Sequence, residues 1–259
     1  MTWNSIIGLI SSVSLFLPAL LILVLRLGIY RSFPALLIYY ILVGCYNILT
    51  QGYVHANNDL VYYYGLLNNL ADAPLMLYFL TYFSTSARFT QNMKRIIFVF
   101  IGFEALMLVI FGITINIISI IMGPGLLLVI AFCIHFFIRQ TRITISHHKA
   151  TGKAIISAGL LFAYGCYSII YLMFYVFKTH IEHGVVKQKE VADTYLVYFL
   201  VNTISAIMVC VGIFIERTRI QKLNELKKTR KELSIVYKDA LPGKPGKIIA
   251  LDFDKEHWN

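Results

Sequence analysis

The sequence predicts an all-α fold: a polytopic membrane protein, built as a seven-transmembrane-helix bundle with its N-terminus outside and its C-terminus inside. Three observations carry that expectation. The 259 residues are 58% hydrophobic and only 14% charged, whereas a soluble domain carries about 25% charged residues. The apolar residues fall in long runs, and a helix needs about 20 of them to cross a hydrocarbon core of about 30 Å. The basic residues, which give a formal net charge of +10, lie between those runs. They therefore read as an orientation signal and not as a nucleic-acid surface.

Taken in order, the first run, 4–27, lacks a basic leader and exceeds a signal-peptide core, so it is expected to persist as the first span. The second is 33–53 and the third 60–84, whose middle holds the polar stretch LLNNLADAPLML. The fourth and fifth, 95–114 and 116–139, are divided at GITIN, 112–116. A turn at GPG, 123–125, would leave a fifth run of about 13 residues, too short to cross. The sixth and seventh are 153–177 and 194–215. With the N-terminus outside, Arg26, Arg31, Arg88, Lys94, Arg95, Arg139, Arg142, Lys149, Lys153 and the basic tail gather inside. Lys178, Lys187 and Lys189 stay outside, in a loop that also carries Glu182, Glu190 and Asp193. The expected localisation is the cell membrane, as a multi-pass protein.

Residues 1–216 form the expected transmembrane domain. Residues 217–239 continue the last span as a basic cytoplasmic helix, with an irregular apolar stripe through Ile220, Leu223, Leu226, Leu233 and Val236. Such a helix suits anionic headgroups or a cytoplasmic protein partner. LPGKPGK then breaks the helix, and 240–259 is expected to be a flexible cytoplasmic tail. A docking surface for a partner would therefore lie in 217–259.

Within the spans, ionisable side chains are rare, disfavoured by about 2.5–3.5 kcal/mol for an aspartate, and usually turned to the bundle interior. Asp72 lies close to mid-depth in the third span. Asn68 and Asn69 precede it by a helical turn on roughly the same face, and Pro74 releases the Leu70 carbonyl nearby. Glu104 lies at similar depth in the fourth span; Asn47 and Gln51 in the second and Asn202 in the seventh occupy the outer half. The candidate ligand-binding set is thus Asn47, Asn68, Asn69, Asp72, Glu104 and Asn202, facing a small ligand if these faces converge. The competing role for such groups is interhelical hydrogen bonding.

No catalytic site is expected: GxSxG, HExxH and P-loop patterns are all absent. No metal and no cofactor are expected either. The histidines of HHK and HIEH lack a matching ligand pair, and the four cysteines read as small apolar residues within the spans. TYLVYFLVNTISAIMVCVGIFI offers no lysine for a retinal Schiff base. TYFSTSARF and FLVNTISAI lack the triplet and the NPxxY pattern of rhodopsin-like receptors, and there is no Pro-Gln pair of the PQ-loop sugar transporters. Two functional expectations follow. The first is a sensor or interaction module with a polar intramembrane site and a basic cytoplasmic tail. The alternative is a small-solute or proton-coupled transporter that uses Asp72 and Glu104.

Overall fold

Caps, glycines and charged junctions divide the chain into seven helices in the computed structural model, which describes residues 3–28, 30–54, 56–84, 86–147, 150–181 and 188–240. They are α1 (Trp3–Val24), α2 (Phe33–Thr50), α3 (Asn58–Leu80), α4 (Ala87–Phe111), α5 (Ile115–His147), α6 (Thr151–Ile181) and α7 (Gln188–Ala240), with a single 3-10 turn, Thr81–Phe83, after α3. Local chemistry accounts for the breaks. Proline in the first turn of α2 has no N–H to leave unsatisfied. The Asn57 side chain accepts from the Asp59 N–H at 3.3 Å to cap α3, and Ser86 Oγ accepts from the Phe89 N–H at 3.1 Å to cap α4. Gly112, with φ 77°, takes the left-handed conformation that ends α4. The turn between α4 and α5 thus falls within GITIN, and α5 runs as helix through Gly123, Pro124 and Gly125.

Several helices exceed their expected spans. α4 begins at Ala87, not 95, α5 continues to His147, not 139, and α7 begins at Gln188, not 194, and runs to Ala240 through the segment expected to continue it as a helix. Hydropathy marks where an apolar run stops, whereas the helix goes on through residues with good helix propensity, such as those of ERTRIQKLNELKK. The tail segments 241–259 and residues 182–187 of the Lys178–Glu190 loop lie outside the described residues.

The helices run up and down, and α1, α2, α3, α5, α6 and α7 close into a ring in which α7 packs back on α1. α4 stands outside that ring, against α3 and α5. The outer surface is apolar: Phe98 is 78% exposed and Val109 84% exposed on α4, and Leu20, Leu127 and Phe214 face outward on other helices. A contiguous apolar exterior of this kind suits lipid and not water. Five helices are long and apolar enough to cross a membrane, namely α1, α2, α5, α6 and α7, which is consistent with a membrane protein. α3 and α4 differ in composition: α3 carries Asn58, Asp59, Asn68, Asn69 and Asp72, and α4 carries Arg88, Lys94, Arg95 and Glu104.

Close helix approach depends on small residues. A Cβ on Gly212 would stand 2.5 Å from the Ile156 side chain and 2.9 Å from the Gly152 carbonyl oxygen, and one on Gly152 would stand 2.8 Å from the Glu216 nitrogen. This glycine crossing joins α6 to α7 at nearly backbone distance. Ser205 Oγ extends the seam by donating to the Gly159 carbonyl at 3.1 Å. Near the α3 C-terminus, Phe33, Phe79, Tyr82, Phe83 and Phe136 pack edge-on or tilted against one another and fix the floor of the bundle.

Candidate functional site

The polar residues of the spans separate into groups with different partners. Asn47 and Gln51 lie one turn apart on α2 and both face α1. Gln51 Nε2 donates to Asn47 Oδ1 at 2.8 Å, to the Gly8 carbonyl at 3.0 Å and to Ser12 Oγ at 3.1 Å; Asn47 Nδ2 reaches Ser11 Oγ at 3.4 Å. Gly8 makes room for the Gln51 amide, since a Cβ there would sit 2.6 Å from Gln51 Oε1. Asn47 is thereby committed to an α1–α2 clasp.

Asp72 turns toward the middle of the ring. The Tyr164 hydroxyl, on α6, donates to its Oδ1 at 2.6 Å. Tyr167, one turn further along α6, stacks edge-on to Tyr164 with centroids 5.7 Å apart and donates to Asn202 Oδ1 on α7. Tyr198 lies against the same amide and 5.7 Å from the Tyr167 ring, and Tyr39 of α2 is within electrostatic range of Asp72 and Tyr167. Asn202 is 1% exposed, and its Nδ2, which faces the Tyr198 hydroxyl, has no well-formed hydrogen bond among the described residues. Asp72, Tyr167 and Tyr198 are half-buried. α2, α3, α6 and α7 thus bring one carboxyl, four phenols and one amide to a single region.

Glu104 stands elsewhere. It is 7% exposed on α4, one turn from Phe100, whose ring lies beside Gly125 of α5 and Ala73 of α3. Ala73 and Asp72 are adjacent, about 100° apart around α3, so the α4 contact and the Tyr164 contact use different faces. Glu104 makes no hydrogen bond or ion pair among the described residues, and Tyr164 is the polar partner of Asp72. Of the two amides before Asp72, Asn68 is buried and Asn69 half-buried, and neither bonds to the Asp72 carboxyl. The six candidates therefore divide into Asp72 with Asn202, joined through tyrosines; Asn47 in its clasp; Glu104 against α3 and α5; and two amides on α3.

No family model matches this chain, and no curated protein or solved structure matches it either. Any function must therefore be read from the side chains.

A second polar cluster, unforeseen from the sequence, closes the end of the bundle where α3 stops and α6 starts. Glu216 is 1% exposed. Its Oε1 accepts from the Tyr82 hydroxyl at 2.5 Å and from Arg219 Nε at 2.8 Å and Nη2 at 2.5 Å. Lys153, 4% exposed, holds its ammonium 4.8 Å from the Tyr82 ring centroid. In the sequence Lys153 reads as the first residue of the sixth span, counted with the inner basic residues, and Glu216 as the last residue of the transmembrane domain, and neither belongs to the candidate set. The glycine crossing brings them together: Gly152 draws the first turn of α6 onto α7 beside Glu216 and carries Lys153 under Tyr82. The small residues at 152, 159, 205 and 212 were the available sequence signal. For the phenols of the first cluster it was the spacing of Tyr164 with Tyr167 and of Tyr198 with Asn202, each pair on one helical face.

Proposed function

We propose that the chain is a membrane sensor of seven spans, N-terminus outside and C-terminus inside, whose central site takes a small ligand bearing a cationic or strongly donating group. The observation that carries this reading is the Asp72 carboxyl, engaged by the Tyr164 phenol, with no basic side chain bonded to it among the described residues and with Tyr167 and Tyr198 packed in series behind Tyr164. A carboxylate with electron-rich rings beside it attracts ammonium groups. The Asn202 amide nitrogen, beside Tyr167 and Tyr198 and without a well-formed hydrogen bond among the described residues, offers a second point of recognition for a ligand acceptor. The long α7, continuing from this region to Ala240, supports a role for residues 217–259 in reporting occupancy to a cytoplasmic protein partner.

The transporter alternative requires Asp72 and Glu104 to serve one path; Glu104 is on α4, which stands outside the ring, and has no partner in the Asp72–Tyr164 cluster among the described residues, which favours the sensor. The test is thermal stabilisation of the purified full chain by a panel of small amines, quaternary ammonium ions, carboxylates and neutral solutes. Cationic members are expected to raise the melting temperature of the wild type and not of Asp72→Asn. Stabilisation by no class, or equal stabilisation of the variant, would remove the basis for the reading. Proteoliposome uptake driven by a pH gradient and lost in both Asp72→Asn and Glu104→Gln would establish the transporter in its place.

A further inference from the structure

We propose that the end of the bundle around Lys153 is a binding site for a phosphate group, presented on a lipid headgroup or on a soluble phosphate ester. The leading electrostatic neighbours of Lys153 are Arg219, Glu216, Arg31 and Arg139, three cations and one carboxylate. That carboxylate is engaged through one oxygen, since Arg219 and Tyr82 both donate to Glu216 Oε1, while its Oε2 has no hydrogen-bond partner among the described residues. Lys153 itself is nine-tenths buried and has no hydrogen-bond acceptor among the described residues; it rests on the Tyr82 ring alone. A buried ammonium with no bonded acceptor, in a cluster where four cations meet one carboxylate, is an unfavourable arrangement that a further anion would relieve.

The backbone adds to the same field. Lys153 is the third residue of the 31-residue helix α6, and the first N–H groups of a helix have no intrahelical acceptor and carry its positive dipole end. On the opposite rim, Arg31 is exposed and sits in the left-handed region with φ 47°. Its guanidinium lies 5.7 Å from the Tyr30 ring centroid. Guanidinium groups match the oxygens of a phosphate pairwise, and an ammonium adds a point charge. Basic pockets between helices at a membrane face have the chemistry to hold anionic headgroups.

The site is separate from the central tyrosine cluster and is tested separately. Native mass spectrometry and thermal melting of the full chain in detergent would compare phosphatidic acid, phosphatidylcholine, glycerol 3-phosphate and inorganic phosphate as probes. Phosphatidic acid is expected to be retained and to stabilise the chain above phosphatidylcholine, with Lys153→Met weakening it by about tenfold. Stabilisation by phosphatidic acid alone assigns a lipid, and saturation by the soluble esters assigns a soluble ligand. A full-length variant with Lys222, Lys228 and Arg230 changed to glutamine is expected to bind as the wild type does. If Lys153→Met does not fold, Arg31→Gln and Arg139→Gln carry the same comparison. Equal binding of phosphatidic acid and phosphatidylcholine, binding indifferent to these substitutions, or binding lost with the tail charges alone would overturn the proposal.

Discussion

Asp72 and Tyr164 meet across the bundle with nothing else among the described residues in hydrogen-bond contact with that carboxyl, so their pairing is open to direct measurement. Interhelical hydrogen bonds inside membrane proteins contribute about 0.6 kcal/mol on average and up to about 1.7 kcal/mol. A double-mutant cycle of Asp72→Asn with Tyr164→Phe is expected to give a coupling in the upper part of that range, because one partner is a carboxyl. Measured coupling of zero by reversible unfolding would mean that the contact is incidental. Asn202 makes a different prediction, since its amide combines one bonded oxygen with one unsatisfied buried donor. Asn202→Leu removes both, so the resting stability should change by less than about 1 kcal/mol while ligand-induced stabilisation is lost. A large loss of resting stability would place Asn202 in the scaffold. Asp72 and Asn202 were legible in the sequence because an acid or amide inside an apolar run is conspicuous. Tyr164, Tyr167 and Tyr198 were not, because a tyrosine has an ordinary place in packing and at membrane interfaces, and only the fold shows where its hydroxyl ends.

At the scale of helices, the α6–α7 seam decides whether both clusters hold their shape, because each of them spans it. Gly212 and Gly152 leave no room for a Cβ, whereas Gly165 of α6 has nothing within 4 Å of the position one would take. Gly212→Ala is therefore expected to destabilise by about 1–3 kcal/mol through overpacking. Gly165→Ala should be neutral or stabilising by up to about 1 kcal/mol, since alanine suits a helix interior better than glycine. Thermal or denaturant unfolding of the two variants side by side checks the seam, and equal effects would show that the crossing is looser than its geometry. The helix count and the position of the α4–α5 turn follow from run lengths and from GITIN. The continuation of α7 beyond its apolar run follows from the helix formers of 217–239; the placement of α4 outside the ring does not follow, because pairwise packing depends on which faces carry small residues. α4 has Gly102 with open space beside it, and its tight glycine contact among the described residues is made by a side chain, the Phe100 ring against Gly125 of α5, and not by a backbone crossing.

For the molecule as a whole, the distribution of charge makes the strongest claim. Arg31, Arg139, Lys153 and Arg219 meet at one end of the bundle, and Arg26, Arg88 and Lys94 lie on segments that reach the same end. Asp59 lies in the first turn of α3, at the other end. Basic residues in short connections are retained on the cytoplasmic side during insertion, so the basic end should face the cytoplasm, with the N-terminus of α3 outside. A variant lacking the four native cysteines and carrying Asn58→Cys is expected to react with a membrane-impermeant maleimide on intact cells. The same background with Lys228→Cys should react only after permeabilisation; both positions are exposed on the folded chain. The reverse pattern would invert the topology and turn the Lys153 site away from the anionic leaflet. Labelling of both positions from one side would require an even number of crossings between them. The five helices qualified by length and composition would then have to be reconsidered together with α3 and α4, whose polar residues are the ones on which the central site depends.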